Sequence, residues 1–311
     1  MKRLEIHISY SCPNNCIFCS EKNRLKRFKN YNINFDKIFN LLSEKRKQGF
    51  DHVNFTGGEP TLYKNFKELL VQAKNLGYKI YIGSNGISWA DKDTCQQLLP
   101  LIDELSFSMH GPDSKTHNSM TQNPKSFSNL MKAFSNVDEY IKKHRNPYWF
   151  CNVVATKKNF DKIEELFNKI KVFKNLKQIL ISNLAPEGSA YNNFQSLAVP
   201  FYKFHKKVGD WVRLAGENNL IIRFFGLPLC VLGEYNVYSN DLNWDERTTF
   251  ELGMKNNKIV LKEKKTVIDR KRKKIKACLN CQYNKICSGI FSHYLKIFGA
   301  NEILNFQKNY D

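Results

Sequence analysis

Ser11-Cys12-Pro13-Asn14-Asn15-Cys16-Ile17-Phe18-Cys19-Ser20 follows directly on Leu4-Glu5-Ile6-His7-Ile8-Ser9, an alternating run with the period of a strand. Three thiolates at C-x3-C-x2-C spacing on one tight loop can hold three irons of a cubane iron-sulfur cluster and leave a fourth iron without a protein ligand. That open iron is where chemistry would happen. A structural zinc site wants four ligands, commonly in two distant C-x2-C pairs, and a disulfide framework wants an even, dispersed set in a small secreted chain. Three in one loop fits neither. A zinc knuckle that borrows its fourth ligand from elsewhere, and three buried thiols, are the plainer alternatives.

Working outward from the loop, Phe35 to Leu42 has apolar residues at helical spacing and Gly49 closes that element. Val53-Asn-Phe-Thr56 reads as the next strand and runs into Gly57-Gly58-Glu59-Pro60. Two glycines there allow a close backbone approach to a ligand, and a glutamate can receive an ammonium group. Helix and strand then alternate: Phe66 to Ala73, Lys79 to Gly83, Asp93 to Leu99, Glu104 to Ser108, Phe127 to Ile141, Phe150 to Ala155, Phe160 to Val172 and Gln178 to Ser182. Such alternation predicts a parallel sheet with helical crossovers.

The loop C-x3-C-x-aromatic-C, with Phe18 in the aromatic place, and the Gly-Gly-Glu-Pro turn after the second strand together resemble the radical S-adenosylmethionine (radical SAM) enzymes. The resemblance implies an α/β fold, a partial (βα)6 TIM-like barrel with site residues at the strand carboxyl ends. It implies a 4Fe-4S cluster on Cys12, Cys16 and Cys19, with S-adenosyl-L-methionine at its open iron and Glu59 at the methionine ammonium. Ser84 and Asn85, in the Ser-Asn-Gly turn after the third strand, are candidate cofactor contacts, and an ordinary Asn-Gly turn is the bland reading. Ser108 matches a serine that contacts the ribose in relatives, and Leu184, in Asn183-Leu-Ala-Pro186, is a candidate for packing on adenine. His110 reads as a local hydrogen-bonding group. Peptide-modifying relatives often carry an arginine where this chain has Met120, so the cofactor carboxylate has no assigned partner.

The last third differs in kind. Leu197 to Leu214 reads as a helix, Leu220 to Phe225 as a strand, and Thr249 to Lys262 as a hairpin turning at Asn256-Asn257. Cys278, Cys281 and Cys287, at C-x2-C-x5-C spacing, together with Cys230 supply four thiolates, enough for a fully ligated four-iron cluster or for zinc. This tail resembles the SPASM and twitch extensions of the family, shortened, since no cysteine follows Cys287. The implied organisation is a core over 1–195 and a small α+β auxiliary-cluster domain over 196–311, with a second 4Fe-4S cluster. Cys95 and Cys151 read as small buried hydrophobes.

Among 311 residues, 49 Lys and Arg stand against 29 Asp and Glu, a formal net charge of +20. Lysine spread evenly along helices reads as compositional drift rather than a nucleic-acid footprint. The concentrated runs Lys262 to Lys265 and Arg270 to Lys276 read as a solvated loop before Cys278. No stretch resembles a membrane span or a signal peptide, and nine cysteines clustered for metal binding indicate a reducing, cytoplasmic interior.

The function implied is reductive cleavage of S-adenosylmethionine to a 5'-deoxyadenosyl radical that takes hydrogen from a substrate, with the auxiliary cluster aiding oxidation or crosslinking. Relatives with such tails often mature ribosomally synthesised peptides, which makes a peptide the expected substrate. A small-molecule dehydrogenation and tRNA modification are the rival reactions, and a non-catalytic zinc-binding nucleic-acid protein is the rival from another class. The resemblance also implies an electron donor such as flavodoxin or ferredoxin. Eleven residues precede Cys12, so leader recognition is expected from a separate leader-binding protein or from the C-terminal region.

Overall fold

The computed structural model describes residues 2–243, 246–267 and 271–307. In β1 (Arg3–Ser9), Leu4, Ile6 and Ile8 are buried on the helix-covered face while Glu5, His7 and Ser9 take the alternate positions. The same alternation recurs in β2 (His52–Gly57), β3 (Lys79–Ser84), β4 (Glu104–Ser108), β5 (Tyr148–Ala155), β6 (Gln178–Asn183) and β7 (Ile221–Phe225). All seven pair in parallel in sequential order. Each crossover carries a helix: Phe35–Lys47, Phe66–Asn75, Lys92–Leu98, Ser126–His144, Ile163–Ile170 and Phe201–Glu217. Phe134 of the helix Ser126–His144 packs on Phe107 of β4 and Trp149 of β5, and Trp89 meets Phe107 from the turn Ser88–Ala90, all of them buried. Six strand–helix units are therefore closed by a seventh strand, the α/β partial barrel that the alternation predicts.

The segment after 195 does more than form an appendage. β7 extends the parallel sheet beyond β6, and β8 (Arg247–Lys255) pairs in parallel with β1, with Ile6 opposite Phe250. β9 (Lys258–Thr266) returns antiparallel through Asn256 and Asn257, both at positive φ, which is the hairpin expected there. The sheet has nine strands in the order β7-β6-β5-β4-β3-β2-β1-β8-β9. What remains of the tail is a small α+β region: a two-stranded pair of β10 (Arg272–Lys273) with β11 (Ile290–Phe291), and the helices Ser292–Phe298 and Asn301–Gln307.

The basic runs are solvated only in part: Lys262, Lys265, Lys271, Lys273, Lys274 and Lys276 are exposed, but the first run is strand and two of the described cations are drawn inward. Lys262 to Lys265 lies in β9, where Lys264 pairs with Glu251 at 2.8 Å. Arg270 lies outside the described residues, Lys271 pairs with Glu187, and the Arg272 side chain is only 2% exposed beside Asp241 at 2.6 Å. Burial is set by tertiary neighbours that local composition does not encode. Among the described residues, no helix is long and apolar enough to cross a membrane.

Candidate functional site

The cysteine loop has no helix or strand of its own, so its backbone groups must be satisfied elsewhere. The helix Ser114–Thr121 supplies the partners. Its last carbonyls lack intrahelical donors, and Asn15 and Ile17 donate to them, to Thr121 O at 2.8 Å and Met120 O at 3.0 Å. Ser189 N–H donates to Cys19 O at 2.9 Å, and the Asn193 amide donates to Ile17 O at 2.9 Å. The Met120 side chain is fully buried and its sulfur accepts from Thr156 Oγ1 at 3.3 Å. The Met120 side chain thus serves the core, and its backbone carbonyl holds the loop.

Gly57 and Gly58 meet the loop from β2. A Cβ on Gly57 would lie 2.2 Å from Ser9 O, and one on Gly58 would lie 2.4 Å from Ser11 O. Gly58 N–H donates to Ser9 O at 2.7 Å and Glu59 N–H to Ser11 O at 2.8 Å. What demands glycine here is the chain's own backbone, pressed against the cysteine loop. Glu59 is 1% exposed. It accepts from Ser84 Oγ at 2.8 Å, Thr61 Oγ1 at 2.7 Å and Asn85 N–H at 2.8 Å. Burial raises its pKa above the ordinary carboxylate range against the pull of those donors. Ser84 Oγ also accepts from Gly86 N–H and Trp89 Nε1, so it braces Glu59 from below. Asn85 Nδ2 donates to Cys12 Sγ at 3.6 Å and joins the glutamate turn to the thiol loop.

These residues border one chamber of about 420 Å³ at the strand carboxyl ends. Cys12, Cys16, Cys19, Phe18, Gly57, Gly58, Glu59, Ser84, Asn85, Ser108 and Leu184 all line it, from four different strand ends and the first loop. Burial pushes the Cys12 thiol up to about 11 and raises Cys16 and Cys19 as well. Bare thiols in this setting stay protonated, and coordination to a metal is what ionises them. Soft sulfur donors beside a chamber that no lysine or arginine borders, among the described residues, suit iron and not phosphate. His110 is buried and neutral. Its Nδ1 accepts from Val154 N–H at 3.3 Å, and its ring meets the edge of Phe18 at 4.7 Å. Asn152, Asn183 and Phe225 complete the wall. Strand alternation carried a signal for Asn152, which shares the inward set with Ser182 and accepts its hydroxyl at 2.9 Å.

A second recess of about 490 Å³ shares Ser20, Glu21, Thr56 and Gly57 with the chamber. An alternating chain of charges lines it. Glu5 pairs with His7, His7 with Glu21 at 3.2 Å, Glu21 with Arg24 at 3.0 Å, Arg24 with Glu251 at 2.6 Å, and Glu251 with Lys264. Burial alone would lower the His7 pKa, but its bonds to Glu21 and Glu5 raise it to about 9. Burial would raise Glu5, yet His7 and Arg247 bring it down to about 2. Sequence reasoning missed this network because the fold of the segment after β1 carries Glu21 and Arg24 back to His7, and the pairing of β8 with β1 adds Glu251 and Lys264.

The second cysteine set converges as well. Cys230, Cys278, Cys281 and Cys287 border one small apolar cavity with Pro228, Tyr283, Ile290 and Ile303. Burial and the three neighbouring thiols push Cys230 up to about 12. Gly289 N–H donates to Cys287 Sγ at 3.4 Å. All nine cysteines are free thiols, with Cys95 and Cys151 buried in the core. Among the described residues no three His, Cys, Asp or Glu side chains converge on a point where a single metal ion would sit.

A family model described as the Radical SAM superfamily matches residues 6–176. Among curated proteins, a probable GTP 3',8-cyclase of Saccharolobus solfataricus is 29% identical over 196 residues, 60% of this chain and 58% of that protein. The match thus spans less than two thirds of that relative. Among solved structures, Streptococcus suis SuiB bound to its precursor peptide SuiA aligns with a TM-score of 0.66 and 19% identity, over 94% of this chain and 72% of that one. SuiB bound to S-adenosylmethionine gives 0.64 at 19% identity, over 94% and 73%. A radical SAM methyltransferase of Sphaerobacter thermophilus gives 0.51 at 12% identity, over 71% and 65%.

Proposed function

The chain belongs to the radical SAM superfamily, and from that premise we propose that it matures a ribosomally synthesised peptide through hydrogen abstraction, with an oxidation or crosslink as the outcome. The single observation that carries the cofactor assignment is the common chamber of Cys12, Cys16, Cys19 and Glu59 with Ser84, Asn85, Ser108 and Leu184. When bound, the cluster would supply the electron for reductive cleavage of S-adenosylmethionine and so the means to take hydrogen from a substrate. The protein's own part is positioning and exclusion of water. Cys12, Cys16 and Cys19 would hold three irons, fixed in place by the carboxyl end of the helix Ser114–Thr121. Glu59, already oriented by Ser84, Thr61 and Asn85, presents a buried acceptor to the methionine ammonium. Phe18 and Leu184 bound the apolar part of the chamber, and Gly57, Gly58 and Ser108 complete its walls.

Cys230, Cys278, Cys281 and Cys287 would hold a second, fully ligated 4Fe-4S cluster in a twitch-like region, a natural acceptor for an electron from the substrate radical. The division into a core over 1–195 and an auxiliary region over 196–311 is then one of function, since β7, β8 and β9 complete the core sheet. The recess beside the chamber is where the substrate would lie. Each carboxylate in its charge chain is paired with a cation, so the wall suits a zwitterionic or amide-rich segment and opposes a polyphosphate. A small-molecule substrate is the second reading, supported by the 29% identity to a probable GTP 3',8-cyclase.

Anaerobically reconstituted protein given S-adenosylmethionine and a low-potential reductant is expected to release 5'-deoxyadenosine and methionine, with iron at about eight per chain. About two zinc per chain and no 5'-deoxyadenosine would refute the reading.

A further inference from the structure

β9 ends the nine-stranded sheet and, among the described residues, pairs with β8 alone. Its outer edge is open. The two-residue turn at Asn256-Asn257 makes Lys255 and Lys258 a hydrogen-bonded pair, and such pairs alternate with unbonded ones along an antiparallel ladder. Lys258, Val260, Lys262, Lys264 and Thr266 therefore spend their backbone groups on β8. Leu252, opposite Leu261, fixes the same phase, because its N–H turns away from β9 to donate to Tyr10 Oη at 2.6 Å. The N–H and C=O of Ile259, Leu261, Glu263 and Lys265 are left facing outward along the strand.

An open edge is a template for another chain, and the side chains on it decide which. β9 carries Lys258, Lys262, Lys264 and Lys265 against Glu263. Glu263 is bonded to Lys45 at 3.2 Å and Lys264 to Glu251 at 2.8 Å, whereas Lys258, Lys262 and Lys265 are exposed and, among the described residues, have no acidic partner. A second copy of this edge would set cation against cation. An acid-rich strand would meet the opposite charge. The edge also leads somewhere, since Lys264 and Thr266 line the recess that shares Ser20, Glu21, Thr56 and Gly57 with the cysteine chamber. We propose that an extended, acid-rich segment of the substrate peptide adds to the outer edge of β9 as a further strand, and that its continuation enters the recess at Lys264 and Thr266. This rests on the reading of the substrate as a peptide.

The test is fluorescence anisotropy on the reconstituted protein, without turnover, using a labelled octapeptide of alternating Glu and Val. Its alternation sets the acids on one face of the added strand, beside Lys262 and Lys264. It is expected to bind at least about 10-fold more tightly than the corresponding Lys-Val octapeptide. Two N-methylated forms of the probe separate strand addition from mere charge attraction. Methylation of the alternate amides that face β9 should weaken binding about 10-fold or more, and methylation of the other set should leave it unchanged. On the protein, Lys265→Pro removes an outward N–H and no bond to β8. It should keep the wild-type melt and bind the probe more weakly than Lys265→Ala, which loses the charge alone. The methylated probes need no variant and give the answer should the proline variant not fold. Equal binding of the Glu-Val and Lys-Val probes, equal loss with either methylated set, or a folded proline variant that binds like Lys265→Ala would overturn the proposal. The peptide reading beneath it fails in a separate assay, if turnover with S-adenosylmethionine consumes GTP.

Discussion

Substituting Gly58 with alanine tests the reasoning about the site at its tightest joint. The added Cβ would stand 2.4 Å from Ser11 O and 2.9 Å from Ser11 C, with Leu25 Cδ2 at 3.1 Å behind it. Even a contact at the edge of what real Cβ atoms show needs a retreat of about 0.6 Å, and an unstrained one needs about 1 Å. The atoms that must give are backbone of the cysteine loop, tied through Asn15 and Ile17 to the helix Ser114–Thr121, so no side chain can absorb the shift. The bond from Glu59 N–H to Ser11 O is strained with it. Overpacking of this kind costs about 1–3 kcal/mol of stability. A misplacement near 1 Å at a reacting centre costs about 10²-fold in rate. The expected result is a moderately destabilised protein that loads less iron and forms 5'-deoxyadenosine about 10- to 100-fold more slowly. Gly216→Ala is the control: nothing lies within 4 Å of its Cβ in the helix Phe201–Glu217, and it should gain about 0.5–1 kcal/mol with cleavage unchanged. Thermal melts, iron content and chromatographic assay of 5'-deoxyadenosine report the three effects. A Gly58→Ala protein with wild-type iron and rate would show that the contact does not position the loop.

Replacing Cys278 and Cys281 together with alanine should leave cleavage of S-adenosylmethionine intact and stop product formation, and a double variant that still makes product would rule out the electron-acceptor role. Asp241→Ala leaves the Arg272 guanidinium buried without its carboxylate; a loss of about 3–5 kcal/mol is expected by chemical denaturation, and a change under 1 kcal/mol would contradict the burial. The His7–Glu5 pair gives stability a two-sided pH dependence. The folded-state pKa of His7 is raised, so its contribution is complete below its unfolded value near 6.5 and is lost as pH rises through about 9. Glu5 is depressed, so its contribution is complete above 4.5 and is lost as pH falls through about 2. A His7→Gln variant should lose the alkaline limb in a pH series of melts and weaken the acid one, since His7 and Arg247 together hold Glu5 down; an alkaline limb that survives the substitution would assign it elsewhere.

How much was legible in the chain differs by scale. Alternating apolar positions in Leu4 to Ile8 and in Val53 to Phe55 fix a strand and its buried face, because only one phase of a period-two pattern meets the helices. Turn chemistry placed the hairpin at Asn256-Asn257. The N-terminal candidates share a chamber because each ends a strand of a parallel sheet, and parallel strands deliver their carboxyl ends to one side. Pairing partners were not legible: nothing local in Arg247 to Phe250 says that β8 will lie beside β1. With that pairing go the bonds from Arg247 to Glu5 and from Arg24 to Glu251, between groups more than two hundred positions apart. The burial of Arg272 inside a basic run, the role of Met120 in holding the cysteine loop, and the backbone contact that demands Gly58 depend on the same tertiary information.

The most direct measurement is electron paramagnetic resonance of the reduced protein carrying alanine at Cys230, Cys278, Cys281 and Cys287, recorded with and without S-adenosylmethionine. Three thiolates around a four-iron cluster leave one iron to the cofactor, so a four-iron signal should be present and its g values should move when S-adenosylmethionine is added. A silent protein, or a signal indifferent to the cofactor, would mean that Cys12, Cys16 and Cys19 do not build that site.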